Sequence, residues 1–239
     1  MEVSNLIFAL CLGMASFLFG KNVLKVRRNI MLGRDIDRCD RSTERWITMA
    51  RVALGQSKMV VRPVAGFLHI LVYVGFVIIN IEVLEIVIDG LIGTHRIFAN
   101  LPFYNFLIGS FEILAFLVLV ACVLFIIRRN VLQIKRFVMQ EMDGWPKHDA
   151  NLILIFEIVL MSAFLLMQGA DLSLQGLGVD HYVKAGSFPI SSFLLPLFDG
   201  MSIEAIVMIE RFCWWFHILG ILAFLNYLPY SKHFHIILA

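Results

Sequence analysis

Two histidines near the C-terminal end of the chain, His217 and His235, are the residues best suited to chemistry. They bracket an apolar run that starts at Trp214-Trp215-Phe216 and ends at Pro229-Tyr230-Ser231-Lys232. They are 18 residues apart, about five turns of helix, so an unbroken helix puts both imidazoles on one face, roughly 27 Å apart. His233 falls on nearly the opposite side of such a helix. A third candidate, His69, lies in a separate apolar run. Imidazole at bilayer depth is costly and marks a functional site. Imidazoles facing one another across transmembrane helices are the ligands with which a helical bundle holds haem iron. The candidate metal ligands are therefore His69, His217 and His235. The plain alternative for each is a core imidazole hydrogen-bonded to a neighbouring helix. It weakens for the set, because two share a face and the third arrives from another helix.

The elements that position these residues are transmembrane helices. Of 239 residues 60% are hydrophobic and only 16% charged, against roughly a half and a quarter in soluble domains. Five runs reach the ~20 residues that a hydrocarbon core near 30 Å demands: residues 4–26, 64–88, 106–127, 151–167 and 203–228, the fourth marginal in length. The expected fold is an all-α integral membrane protein, a five-helix transmembrane bundle forming one domain over 1–239.

Lysine and arginine orient it. Eleven lie in the loop 21–62, five in 128–149, and Lys232 follows the last span; Arg96 and Lys184 lie in the opposite loops and Arg211 in the fifth span. The positive-inside rule then places the N-terminus outside and the C-terminus in the cytoplasm. The first span is not read as a cleaved signal peptide, because its positive charges follow it. Residues 35–45 read as a solvated, partly helical cytoplasmic segment or a docking surface, and the loop 171–202 as a cap on the outer face. A net charge of +2 implies no nucleic-acid partner.

Other motifs are few. Cys11, Cys39, Cys122 and Cys213 form no CxxC, so no iron–sulfur cluster is expected within this chain. No phosphate-binding glycine loop is present. Gly66 and Gly75 read as sites of close helix or ring approach. His95, His148 and His181 read as solvated loop residues and His233 as interfacial. The second span enters from the inside, so His69 lies near its cytoplasmic end, about 8 Å in by helix rise. His235 closes the fifth span on the same side, with His217 deeper. His69 and His235 are natural partners for one iron; His69 with His217 requires an offset between the helices or a break at Pro229.

The chain resembles the membrane b-type cytochromes of the nitrate reductase gamma subunit group, which includes the membrane cytochrome of heterodisulfide reductase and the membrane part of related iron–sulfur oxidoreductases. The residues that carry the resemblance are Phe67-Leu68-His69 with Gly75-Phe76 in the second span, and His217 with Leu228-Pro229-Tyr230-Ser231-Lys232 and His235 in the fifth. The resemblance implies haem b, exchange of electrons with a membrane quinone or quinol, a cytoplasmic iron–sulfur protein or fused domain as partner, and a place in the cytoplasmic membrane of a bacterium or archaeon. Two-haem members carry a second histidine about ten residues after the first in the second span; here that position is Ile79, followed by Asn80. One haem is therefore expected, or two if His217 finds another partner. The chain stops at Ala239, where fused relatives continue into an iron–sulfur domain.

A quinol that loses two electrons must also lose two protons, which calls for an acid–base group. Glu112 and Asn80 are the expected site residues, with Glu82 and Glu85 toward the outer edge; Glu157 is a further carboxyl at bilayer depth. Arg62, Lys58 and Lys232 lie at the cytoplasmic border, where they can meet haem propionates or simply snorkel to the interface. Two other classes stay open: a small proton or ion transporter using Asn80, Glu112 and Glu157, and a non-redox anchor that docks a cytoplasmic enzyme. The absorption spectrum of reduced protein separates them.

Overall fold

The computed structural model of the protein describes residues 3–34, 36–37, 39–57, 59, 61–134, 137, 139–140 and 143–235. Lys58, Arg38, Lys135 and Arg136 lie outside them. All regular structure among the described residues is helical. We number the α-helices α1 (Val3–Ile30), α2 (Ser42–Met49), α3 (Pro63–Ile92), α4 (Tyr104–Ile126), α5 (Trp145–Leu177) and α6 (Ile203–Tyr227). All except the short α2 are long and apolar enough to cross a membrane, α4 running on through a π turn to Val131 and α6 through a 3-10 turn to Tyr230. Each expected span falls within one of them. The fourth, expected at 151–167, is the 33-residue α5. Its polar Gln168, Asp171 and Gln175 lower the hydropathy but are buried inside the bundle, so the helix continues past them.

Local chemistry sets the ends. Pro63 sits in the first turn of α3, where its missing N–H costs nothing, and Gly93 ends that helix in the left-handed conformation, φ 88°. The Ser202 hydroxyl accepts from the Ala205 N–H and caps α6. Pro229 stops α6, because proline cannot donate the next helical hydrogen bond. Two short 3-10 turns follow, Leu228–Tyr230 and Lys232–Phe234. This corrects the expectation of an unbroken helix from His217 to His235: the last imidazole sits on a hook that folds back, not on the helix face.

The five long helices close into a ring in the order α1, α3, α4, α5, α6, with α1 and α6 in contact. The helices meet around Phe8, Ile79, Ala115, Val118, Cys122, Phe164 and Ile218. Many large apolar side chains, such as Leu10, Phe17, Phe67 and Phe106, point outward, as they must if the surroundings are hydrocarbon. With lipid outside, burying such groups gives little net drive, so association rests on close packing and interhelical polar bonds. Gly75 shows the packing: a Cβ there would collide with Val118 on α4. Gly75→Leu should therefore destabilise the detergent-solubilised protein by about 1–3 kcal/mol, read as a lowered melting temperature. Gly13→Leu, where a Cβ meets nothing within 4 Å, should not lower it.

The bundle has an arginine-rich end, where α1 and α4 finish and α3 and α5 begin, and a far end. The segment after α5 covers the far end. A 3-10 helix, Ser191–Phe198, packs against α5, and Glu112 on α4 accepts from the Ile190 and Ser191 N–H groups at 3.0 and 3.2 Å.

Candidate functional site

At the arginine-rich end, His69 sits in the second turn of α3, and the hook after Pro229 brings His235 opposite it. Their ring centroids are 6.5 Å apart. Two imidazoles sharing one metal, with bonds of about 2.0–2.1 Å as in zinc sites, have ring centres roughly 6 Å apart. His235 Nδ1 lies 2.9 Å from the Lys232 carbonyl oxygen. A carbonyl can only accept, so Nδ1 carries the proton and Nε2 keeps its lone pair, the arrangement usual for a metal-binding histidine. The Nδ1 of His69 is buried and lacks a hydrogen-bond partner, an expensive condition for a polar atom without a ligand. The donor set therefore fits a group held between two imidazoles. Among the described residues no cluster of three or more His, Cys, Asp or Glu side chains could hold a bare metal ion. Two imidazoles suit a metal whose other ligands come from a macrocycle.

His233, expected at the interface, joins the same cluster. Its ring is 6.1 Å from His235, 5.4 Å from Phe224 and 6.4 Å from Phe76. Burial, together with the neighbouring His235 and His69, lowers its pKa to about 4, so it is neutral at pH 7. Arg62 and Lys232 are both exposed at this end. His217 lies apart from the pair, level with the middle of α5. It is fully buried, with Nδ1 3.1 Å from the Leu160 carbonyl oxygen and its ring 5.5 Å from Phe164.

The far end holds a second constellation, built around Arg96. The Asp89 carboxylate accepts from the Thr94 hydroxyl and from the backbone N–H groups of Arg96 (2.8 Å) and Ile97 (3.2 Å). That turn holds Arg96 at φ 52°, a conformation uncommon for a side-chain-bearing residue, and sends the guanidinium inward. There it donates to Asp171 (Nε to Oδ2, 2.9 Å), to Gln168 and to the Tyr104 hydroxyl (3.2 Å). Tyr104 in turn donates to Glu85 at 2.8 Å, and Gln168 donates to Glu82. Burial opposes the Arg96 charge, but Asp171, Tyr104 and Glu82 together outweigh it, and the pKa is raised. His95, expected to be solvated, is instead part of the network. Its Nε2 is 3.2 Å from Asp171, and its Nδ1 accepts from the Val183 N–H. Nearby, the Tyr182 hydroxyl donates to Glu210, which Arg211 also holds; burial and Glu210 raise the Tyr182 pKa.

These groups border a cavity of about 480 Å³, with Phe8, Ile86, Trp214 and Trp215 as its apolar walls. Glu82 faces it with an Oε2 that is buried and has no partner. The volume and the mix of apolar walls with a few convergent polar groups are those of a small-molecule site. Of the two expected proton-handling residues, Glu112 is fully buried, one oxygen holding the loop at Ile190 and the other unpartnered. Asn80 is exposed on the outside of α3, its amide donating to the Phe76 carbonyl within its own helix. It shares a face with His69, but that face is met by the hook only at the arginine-rich end. The interior residue at this height is Glu82, two positions on and nearly opposite around the helix.

Sequence reasoning missed Arg96, Gln168, Asp171, Tyr182 and Glu210. The signal was there in pairs. Glu82, Glu85 and Asp89 recur at i, i+3, i+7 on α3, and Gln168, Asp171 and Gln175 do so on α5, each a polar stripe on one face of an otherwise apolar helix.

No family model matches the chain, and no solved structure matches it. Over 232 residues, 97% of this chain, it is 28% identical to the probable iron-sulfur-binding oxidoreductase FadF of Bacillus subtilis, of which that stretch is 31%. Over 205 residues, 84% of this chain, it is 25% identical to the EtfAB:quinone oxidoreductase of Syntrophomonas wolfei, of which it spans 28%. The chain thus spans less than a third of the length of either relative.

Proposed function

We propose that a five-helix bundle of this design, similar over most of its length to part of two oxidoreductases named for iron–sulfur and quinone chemistry, is a membrane-embedded b-type cytochrome unit. It passes electrons between a quinol or quinone in the bilayer and an iron–sulfur centre on a soluble partner or on a domain beyond this chain. The observation that carries the reading is the His69–His235 pair, two imidazoles at ligand spacing with one buried nitrogen unpartnered. Haem b held there supplies reversible one-electron transfer. Arg62 and Lys232 are the cations available to its propionates. By the positive-inside rule, the lysine and arginine distribution supports a cytoplasmic side for this end.

The far-end cavity receives the quinol headgroup. Its Trp214 and Trp215 walls suit an aromatic ring, and the unpartnered Oε2 of Glu82 accepts a hydroxyl hydrogen. The quinol gives up its two electrons one at a time; with each, Glu82 takes one of the two hydroxyl protons and releases it to water before the next, and Gln168, Arg96, Asp171 and His95 form the polar line from it toward the far-end surface. Glu112 is the other carboxyl of that end with a spare oxygen. His69 and Glu82 are separated by 13 residues of α3, roughly 20 Å of helix, and His217 lies between their levels. The position on α3 that would ligate a second iron is Ile79, so a single haem is the expected content.

The test is the absorption spectrum and haem-to-protein ratio of the purified chain. Reduced b-type bands at a ratio near one are expected. A ratio near two makes His217 an iron ligand, and protein without haem from haem-sufficient cells refutes the reading.

A further inference from the structure

We propose that Asp149 is the positioning residue that aims His235 at His69, acting through the backbone of Lys232; the inference rests on the cytochrome reading above. Once α6 stops at Tyr227, the chain must turn back for His235 to reach α3, and the hook needs a tie to the bundle. Asp149, in the second turn of α5, supplies it. It is only 1% exposed, although it lies at the end of the bundle where water and cations are near. A carboxylate is held out of water only where hydrogen bonds replace the solvent. Both its oxygens are engaged by the hook region: Oδ1 accepts from the Tyr227 hydroxyl and Oδ2 from the Lys232 N–H at 2.9 Å.

The Lys232 carbonyl then accepts from His235 Nδ1 at 2.9 Å. One residue thus carries both links. Its N–H is anchored to a carboxylate, and its C=O sets the tautomer and the direction of the ring. A carboxylate on the N–H side fixes where that carbonyl lies and favours the lone pair on Nε2, as outer partners of metal-binding histidines generally do. Phe234, buried between Lys232 and His235, keeps the hook against the bundle, and the Tyr230 hydroxyl donates to Asn22 on α1 at 2.9 Å. Asp149 is the tie that continues to the ring, through Lys232.

The test uses the full chain, with haem titrated into haem-free protein and the low-spin electron paramagnetic resonance signal recorded. Asp149→Ala is expected to weaken haem binding about 10-fold or more, the scale of losing an outer partner of a metal-binding histidine. Asp149→Asn keeps the shape and one acceptor, and should bind haem with a shifted low-spin signal. Unchanged affinity and signal in both variants overturns the role of Asp149 and leaves the cytochrome reading standing. No haem in the unsubstituted protein instead overturns that reading, and this proposal with it.

Discussion

His69→Ala is expected to remove the haem bands of the purified protein, while His148→Ala, an exposed imidazole at the start of α5, leaves them intact. The His69 ring lies 6.5 Å from that of His235, and its buried Nδ1 has no hydrogen-bond partner. His235→Ala should have the same effect from the other side. A His69→Ala protein with normal haem content and an unaltered spectrum removes the assignment of that residue. The effect is all-or-nothing because ligation, unlike packing, has no partial substitute in an alanine side chain.

Glu82→Gln is expected to slow quinol-dependent haem reduction about 100-fold at unchanged haem content, the scale of losing a positioned proton acceptor. Glutamine keeps the hydrogen bond with Gln168 but cannot take the proton. Asn80→Ala, on the exposed side of the same helix, should leave the rate within about twofold and so separates a site effect from a change in α3 itself. Glu112→Gln asks whether the second unpartnered carboxyl belongs to the same route. A Glu82→Gln protein that is reduced by quinol at the full rate means that quinol is handled elsewhere in the bundle.

Much of this was readable in one dimension. Composition and run length required five long apolar helices, because any backbone crossing hydrocarbon must satisfy its own hydrogen bonds. The cost of an imidazole at bilayer depth singled out His69, His217 and His235, of which His217 is bonded to the Leu160 carbonyl, the plain alternative for a core imidazole. Depth alone paired His69 with His235. Helix rise is a local property, and it needs no knowledge of the neighbours.

What the tertiary structure decided is which face met what. Periodicity put His233 opposite His235 and Asn80 beside His69. Pro229 breaks the helix that this spacing assumes, and the face of α3 that meets the hook at His69 meets nothing comparable at Asn80. Arg96, in sequence one loop cation, is the centre of the far-end network only because the Asp89 carboxylate bends its turn inward and Asp171 comes from a helix 75 residues away. A sequence states the residue types and their local spacing. Whether a polar stripe faces lipid, loop or another stripe depends on helix rotation within the ring, set by contacts such as Gly75 against Val118 that no single segment encodes.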